Sequence, residues 1–422
     1  MKFSAPVVSA SLVTMALVVA CSAAKTRSVV GDEQDASAAI ADSDEPNFNQ
    51  GGDSGGTAKP LEPLGNLTGT VFAPNGTLPM SGALIYLTNV KPAAIPSVAF
   101  CDKCVELNGA DSTLSKPDGT FKLNFFQTGE QYIVVQKGAF RRVRSINVMA
   151  GTTAVDNDLT TLPPRTQGDD TAPRMAVVTP TYDHIEKTLE KLGITQVDMI
   201  DEDDADAFVK SSAKLSKYHV VFIPCGAGGE GGCASDRNSA TATKTALRTF
   251  VQGGGRLYAT DFAYEYVHGT WPAQVTWNNS FGSDGRWGAD AASGRGMACG
   301  SSWTGTAKFL DPGLKSWMAV PSVNGPGAVS LIGNWSSMVK VNTVTGVDET
   351  GASARLTPTV WAQGQRSGAY EPTTVSFQDK CGRVLFSTYH SEGGTTLDAQ
   401  EKALLYILLE VNTCVGTPGQ PG

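Results

Sequence analysis

The sequence contains little charge and no excess of positive charge. Only 18% of its residues are charged, and 41 acidic residues outnumber 33 lysines and arginines, for a formal net charge of -8. Because binding to a phosphate backbone requires a basic face, this balance argues against nucleic acid as a partner. Histidines number four, and neither an H-E-x-x-H motif nor a zinc-type set of cysteines and histidines occurs. The sequence therefore predicts no metal site and no cofactor.

What the chain does contain is typical of a folded, turn-rich protein. Hydrophobic residues make up 41% of the sequence, and 46 glycines and 22 prolines indicate short elements joined by many turns. A chain of 422 residues is long enough for two or three domains.

The first 21 residues indicate export. Lys2 precedes an apolar run over residues 5–20, which is too short for a comfortable transmembrane helix but suits a signal peptide. Residues 18–21 read V-V-A-C and resemble a bacterial lipobox, which implies a diacylglycerol on Cys21; the alternative is an ordinary signal peptide cleaved a few residues further on. Ser22, in place of Asp, resembles outer-membrane sorting. No later apolar stretch approaches the ~20 residues that span a bilayer. We therefore expect a cell-envelope lipoprotein held at the outer membrane by its lipid.

Residues 22–63 differ in composition from the rest of the chain. They are rich in Ala, Asp, Glu, Ser and Gly, and such a segment cannot bury enough apolar surface to offset the entropy of ordering it. The segment is predicted to be a flexible tether that lifts the folded part off the membrane.

Residues 64–164 contain a series of short strands separated by Gly and Asp turns. This pattern predicts a small antiparallel β-sandwich. The segments LTGTVFAPNG (67–76), MSGALIYL (80–87) and KPDGTFKL (116–123) resemble the carboxypeptidase regulatory-like domain, a seven-stranded transthyretin-like sandwich. The resemblance implies an appendage without catalytic residues. A basic cluster in this region is interpreted as a charged strand edge, with contact to anionic envelope polymer as the alternative; it consists of Lys137, Arg141, Arg142 and Arg144.

From residue 172 to 415, short apolar strands alternate with amphipathic helices. This alternation requires crossover connections and a parallel sheet covered on both faces, so we predict a flavodoxin-like α/β domain. The predicted fold class is thus multidomain, a small β-sandwich followed by an α/β domain. Residues from about 270 to 360 interrupt the alternation as a long Gly- and Trp-rich insertion, which holds all seven tryptophans.

Ligands of an open parallel sheet bind beyond the carboxyl ends of its strands. The segments VVFIPCGAGG (220–229), GGGRLYATDF (253–262) and GRVLFSTYHSE (382–392), which end there, together resemble the class I glutamine amidotransferase-like superfamily. The resemblance implies a cysteine on a sharp elbow after a strand and a later His-x-Glu that completes a triad. His390 and Glu392 match the second part, but the expected elbow carries Asp261 and no cysteine. Without a thiolate, nucleophilic amide hydrolysis of the family type has no attacking group.

Other candidate residues surround this predicted elbow. Cys225 follows the third strand, so its sulfur would have to reach across from a neighbouring loop to meet His390. Asp261 could instead act as a base or ligand partner of His390. Gly226 and Gly228 belong to a G-x-G-x-x-G pattern that is not joined to a helix, which favours an anion-binding loop over a dinucleotide site.

Aromatic residues of the insertion allow two interpretations. Tyr264, Trp271 and Trp277 could stack on sugar rings above the strand ends, or they could form a small core of the insertion.

Seven cysteines remain after Cys21, and an oxidising compartment favours disulfides between them. Because seven is odd, at least one thiol is left over within the chain. The spacing favours a structural clip between Cys101 and Cys104, with redox or metal binding as the alternative. Cys225–Cys233 and Cys381–Cys414 are plausible further pairs, but the sequence does not determine the connectivity.

These observations support two main hypotheses of function. The first is a non-catalytic binding or scaffold lipoprotein that contacts envelope polysaccharide or peptidoglycan through a degenerate amidotransferase-like cleft roofed by the insertion. The second is a hydrolase of envelope glycan or peptide that uses His390 and Glu392 with Asp261 or Cys225. A third hypothesis is that the chain serves only as a structural spacer. A sulfur within bonding reach of the His390 imidazole would favour the hydrolase.

Overall fold

The computed structural model describes residues 62–101, 107, 111–227, 240–278, 303–348, 350–366, 368–391 and 393–411. The predicted signal peptide with Cys21, the tether, Gly228 and Glu392 lie outside these residues. All described residues belong to one compact unit, Asp53–Gly416. Within that part of the chain, no helix has both the length and the apolar character needed to span a bilayer.

The first part of the described chain forms two small sheets that share a core. One has the strand order β4-β1-β7 and the other the order β3-β2-β5-β6. All neighbouring strands are antiparallel except β1 and β7, which are parallel, so the predicted antiparallel arrangement holds for all but one pair. The strands are β1 Gly65–Thr70, β2 Leu84–Thr88, β3 Ser112–Leu114, β4 Thr120–Phe125, β5 Gly129–Lys137, β6 Phe140–Val148 and β7 Gly151–Ala154.

Five parallel strands form one side of a larger, nine-stranded sheet. Their order is β9-β8-β10-β11-β20, so the first strand in sequence lies between the second and the third, as in flavodoxin-like sheets. β8, β10 and β11 are buried along their whole length, as expected for apolar strands that are covered on both faces, whereas β9 at the edge of the sheet is partly exposed. The strands are β8 Met175–Val178, β9 Val197–Ile200, β10 Val220–Ile223, β11 Arg256–Thr260 and β20 Gly382–Ser387.

The predicted insertion extends this sheet. Four antiparallel strands add to β20 in the order β14-β13-β18-β19, so the predicted parallel sheet continues as an antiparallel one on this side. β19, which follows the insertion in sequence, pairs with β20 and covers what would otherwise be an open strand edge there. The added strands are β13 Trp303–Phe309, β14 Ala328–Asn334, β18 Thr359–Arg366 and β19 Ala369–Asp379; two small sheets pair β12 Val275–Trp277 with β15 Met338–Val341 and β16 Val344–Val347 with β17 Ser353–Leu356.

Helices cover both faces of the large sheet. Alternate residues of its strands contribute to two separate hydrophobic cores, one on each face. The first core also contains the interior of the β-sandwich, so the sandwich and one helical layer share their buried residues. The helices are α1 Asn157–Thr160, α2 Ile185–Lys191, α3 Glu202–Val209, α4 Ser212–Leu215, α5 Thr241–Gln252, α6 Tyr264–Thr270, α7 Pro312–Met318 and α8 Ala399–Val411.

A disulfide joins the sandwich to the large sheet. Cys101, in the loop after β2, pairs with Cys381, in the turn between β19 and β20, with their Cα atoms 5.0 Å apart. The predicted clip Cys101–Cys104 and the predicted pair Cys381–Cys414 were therefore wrong. Cys225 is a buried free thiol, so its predicted pairing with Cys233 was wrong as well. Spacing along the chain did not reveal which loops meet in space.

Gly254 explains how the loop that carries Cys101 approaches the sheet. Its φ is 102°, and a Cβ atom there would lie 1.8 Å from the carbonyl oxygen of Phe100. Only glycine permits both this conformation and this close contact.

The basic cluster makes contacts within the molecule. Arg144 binds both carboxylate oxygens of Asp170, and Lys137 lies 2.6 Å from the carboxylate of Glu410 on α8. β6, which carries the three arginines, is an edge strand of its sheet. The edge position agrees with the charged-edge interpretation. However, the four basic side chains form ion pairs and hydrogen bonds within the molecule.

Candidate functional site

Three chemically reactive side chains converge at the carboxyl ends of neighbouring strands. Cys225 lies just beyond β10, Asp261 directly follows β11, and His390 lies just beyond β20. Because β10, β11 and β20 are adjacent and parallel, their ends meet at one edge of the sheet. The ligating atoms of the three side chains all lie within 4.8 Å of one another, and all three residues are buried. We call these residues the Cys–Asp–His cluster.

Asp261 is the centre of this cluster. Its Oδ2 atom lies 3.6 Å from Nδ1 of His390 and 3.9 Å from Sγ of Cys225. Its Oδ1 atom accepts a hydrogen bond of 2.8 Å from the backbone N–H of Trp335. The φ angle of Asp261 is 46°, a left-handed conformation that non-glycine residues rarely adopt. This is the turn at which the amidotransferase-like resemblance expects the elbow, and it presents a carboxyl group.

A second layer of hydrogen bonds supports the cluster. The buried carboxylate of Asp183 accepts hydrogen bonds from the Thr260 hydroxyl at 2.6 Å and from the backbone N–H of Ser391 at 3.2 Å. The Thr260 hydroxyl in turn accepts one from the backbone N–H of Cys225 at 2.9 Å. These bonds join the loops that follow β8, β10, β11 and β20. The sequence analysis missed Asp183; its signal was an acidic residue just beyond the first strand of the parallel sheet.

Burial raises the pKa of two of the three groups in the cluster. It raises the pKa of the Cys225 thiol well above its ordinary value, and the neighbouring Asp261 carboxyl raises the pKa further. Burial also raises the pKa of Asp261, while contact with His390 acts in the opposite direction. A thiol in this environment stays protonated, whereas nucleophilic cysteines have a lowered pKa.

Gly226 allows two strand-end loops to pack together. Its φ is 74°, and a Cβ atom there would lie 2.7 Å from Cβ of Thr181. The Thr181 hydroxyl donates a hydrogen bond of 3.0 Å to the Gly226 carbonyl. The observed role of Gly226 is therefore close packing, and the predicted anion-binding loop stays a prediction because Gly228 lies outside the described residues.

The aromatic residues predicted to bind sugar are buried. The Trp277 ring packs edge-on against Phe386 at 4.9 Å and lies 5.2 Å from the Tyr264 ring. Trp271 packs against Phe377 and donates a hydrogen bond of 2.8 Å to Asp379. Rings enclosed in this way present no free face to a sugar, so we assign Tyr264, Trp271 and Trp277 a packing role in place of the predicted stacking role.

A different set of aromatic residues lies beside the cluster. The ring centroids of Tyr182 and Phe262 are 6.0 Å apart, and those of Phe262 and Trp335 are 5.5 Å apart. Tyr182 is 46% exposed, and the other two are partly buried. We call these three residues the aromatic surface. Phe262 directly follows Asp261, and Trp335 donates its backbone N–H to Asp261, so the aromatic surface adjoins the cluster.

A cavity of about 530 Å³ lies at the opposite ends of the strands. Arg174 and His219, which line it, precede β8 and β10. Lys91 and Asp169 at its rim form an ion pair of 2.6 Å. Because the Cys–Asp–His cluster gathers the reactive side chains, we place the candidate site at the carboxyl ends of the strands.

Comparison with known proteins shows no match in sequence and only weak similarity in structure. No protein-family model matches the chain, and no curated protein matches it in sequence. A ThuA-like protein from Bacteroides uniformis ATCC 8492 is similar in structure, with 11% identity over 58% of this chain and 93% of that chain and a TM-score of 0.30. A cytoplasmic protein from Salmonella typhimurium shows 13% identity over 56% of this chain and 97% of that chain, with a TM-score of 0.33. A β-galactosidase from Bacillus circulans sp. alkalophilus shows 13% identity over 56% and 30% of the respective chains, with a TM-score of 0.32. We draw no functional conclusion from likenesses at these TM-scores.

Proposed function

We propose that this chain is a lipid-anchored protein of the cell envelope whose α/β part binds envelope glycan without hydrolysing it through a thiol. The observation that carries the proposal is the carboxyl group of Asp261 at the positive-φ turn after β11. Hydrolysis of the amidotransferase type requires a thiolate at that turn. The nearest sulfur, that of Cys225, is buried after a different strand and lies 3.9 Å from the Asp261 carboxyl group.

The aromatic surface supports a binding role. Its three rings adjoin the polar strand ends, where an open α/β sheet binds its ligands. Aromatic rings stack on the apolar faces of sugars, while nearby polar groups hydrogen-bond to hydroxyls. Peptidoglycan and envelope polysaccharide present both kinds of surface.

Titration of the purified chain with soluble peptidoglycan fragments tests this proposal. We expect saturable binding by calorimetry, and we expect Trp335→Ala and Tyr182→Ala each to weaken it about tenfold, as loss of one stacking ring typically does. The control is Tyr370→Ala, which removes an aromatic side chain that is 49% exposed in strand β19. The proposal fails if no envelope glycan binds, or if Tyr370→Ala reduces binding as much as the other two variants.

Convergence of Cys225, Asp261 and His390 favours a hydrolase as the second candidate. Their ligating atoms lie within 4.8 Å of one another, although the sulfur comes from a strand other than the one expected for a nucleophile. A thiol-reactive probe separates the two functions. Rapid labelling of Cys225 that disappears in His390→Ala would support the hydrolase, whereas slow labelling that is unchanged in His390→Ala supports the binding protein.

A further inference from the structure

We infer that Cys225, Asp261 and His390 form a binding site for one divalent transition-metal ion, with Zn²⁺ as the best match. The inference goes beyond glycan binding and does not depend on it, because the ion would be held by the strand ends whether or not a glycan binds nearby. The sequence predicted no metal, since the three residues lie far apart along the chain and form no recognisable motif.

The spacing of the three side chains fits a tetrahedral ion. Zinc bonds of about 2.3 Å to sulfur and about 2.1 Å to nitrogen or oxygen place tetrahedral sulfur and oxygen ligands about 3.6 Å apart, and nitrogen and oxygen about 3.4 Å apart. The observed separations are 3.9 Å between Cys225 Sγ and Asp261 Oδ2, and 3.6 Å between His390 Nδ1 and Asp261 Oδ2. Shifts of a few tenths of an ångström would bring these two pairs to ligating distance. The third pair, Cys225 Sγ and the His390 imidazole, lies within 4.8 Å and would have to draw closer around the ion.

The chemical identity of the donors selects the ion. Binding of the ion would displace the proton of the Cys225 thiol, and the resulting thiolate and an imidazole favour zinc and its neighbours in the transition series over Mg²⁺ or Ca²⁺, which prefer oxygen ligands. Cys, His and Asp side chains are all established zinc ligands, and three protein ligands leave one tetrahedral position for water or another small ligand. The cluster is buried, so an ion bound there would be shielded from bulk water.

Hydrogen bonds already hold the three residues in place. The Trp335 N–H occupies Oδ1 of Asp261, which orients Oδ2 toward Cys225 and His390. The Gln400 side-chain amide donates a hydrogen bond of 3.0 Å to the His390 carbonyl. The Cys225 N–H donates to Thr260, whose hydroxyl donates to Asp183. Outer contacts of this kind position metal ligands and increase their affinity.

Cobalt titration tests the site directly. We expect the metal-free full chain, purified without a histidine tag, to bind one equivalent of Co²⁺ and to develop a thiolate-to-cobalt charge-transfer band in the near ultraviolet. One equivalent of Zn²⁺ should displace the cobalt. Cys225→Ser should remove the band, and Asp261→Asn and His390→Gln should weaken binding at least about 100-fold, because loss of a ligand exceeds the 10- to 100-fold effect of losing an outer contact.

His184→Gln is the matched control. Its side chain is 48% exposed and lies outside the cluster, so the variant should bind cobalt like the parent chain. Circular dichroism and the thermal midpoint of each metal-free variant report whether it folds. As a second test of binding, we expect Zn²⁺ to raise the thermal midpoint of the parent chain. Absence of the band in the parent chain would overturn the inference, as would its persistence in Cys225→Ser or unchanged affinity in both Asp261→Asn and His390→Gln.

Discussion

The Oδ2 atom of Asp261 lies 3.6 Å from Nδ1 of His390, where two neighbouring strands of the parallel sheet end. A carboxyl group thus occupies the turn at which the sequence resemblance to the class I glutamine amidotransferase-like superfamily predicts a nucleophilic cysteine. The φ of Asp261 is 46°, so the backbone forms a sharp left-handed turn there, and the side chain that this turn carries is a carboxyl group.

Replacing Asp261 by cysteine should create a reactive thiol. In a Cys225→Ser background, Asp261→Cys puts sulfur beside His390 and removes the carboxyl group that opposes thiolate formation, so we expect alkylation by iodoacetamide at least about tenfold faster than that of Cys225 in the parent chain. Peptide mass spectrometry measures the rate at each cysteine. His390→Ala in the same background should abolish the gain, and equal rates with and without His390 would contradict the prediction.

The disulfide between Cys101 and Cys381 should stabilise the fold. It closes a loop with a sequence separation of 280 residues, for which restriction of the unfolded chain contributes up to about 5 kcal/mol. We expect Cys101→Ser and Cys381→Ser to lower the free energy of unfolding equally in urea, and the double variant to lose no more than either. Reductant should destabilise the parent chain but not these variants. Additive losses in the double variant would show that the pair does not form.

The ion pair between Lys137 and Glu410 should respond asymmetrically to mutation. The Lys137 side chain is 2% exposed, and burial lowers its pKa despite the neighbouring carboxylate. Glu410→Gln leaves the ammonium group buried without its counter-charge, so we expect a loss of about 3 kcal/mol. Lys137→Met, which fills the same space, should change the free energy of unfolding by less than about 1 kcal/mol. Chemical unfolding of both variants checks this, and equal losses would refute it.

His219 should make the fold sensitive to mild acid. Its Nδ1 accepts a hydrogen bond from the Arg174 backbone, its Nε2 lies 2.8 Å from the Pro96 carbonyl, and burial lowers its pKa below 6.5, with Arg256 and Arg174 adding to the shift. The unfolded chain therefore binds a proton below about pH 6.5 that the folded chain does not, and stability falls as the pH drops below that value.

Urea unfolding at pH 7.5 and pH 5.5 measures this effect. His219 can contribute at most about 1.4 kcal/mol per pH unit, and His219→Gln should remove that part of the slope. The exposed His184 serves as the control, and His184→Gln should keep the parent slope. A parent-like slope in His219→Gln would contradict the prediction.

Cys21 should carry the membrane anchor. We expect the chain to incorporate a clickable fatty acid in a lipoprotein-processing bacterium and to fractionate with outer membranes. Cys21→Ser should abolish the label and release the chain from the membrane, since the lipid on Cys21 is the proposed anchor. Unchanged membrane association in Cys21→Ser would refute the lipid anchor.

The sequence by itself determined the local elements of this protein. Alternating apolar residues identified the strands of the sandwich, and buried apolar strands between helices identified the parallel sheet, because both patterns reflect which side chains face a core. The sequence also placed Asp261 and His390 at strand ends, since position along a parallel strand determines the edge at which a residue emerges.

Only the tertiary structure decided which distant segments meet. It paired Cys101 with Cys381 and added strands of the insertion to the large sheet. It also enclosed Trp271 and Trp277 and brought the Trp335 N–H to Asp261. It also brought Cys225 to the same carboxyl group from a neighbouring strand. These contacts depend on loop paths and sheet order, which spacing along the chain does not encode, and the chemistry of the site arises from them.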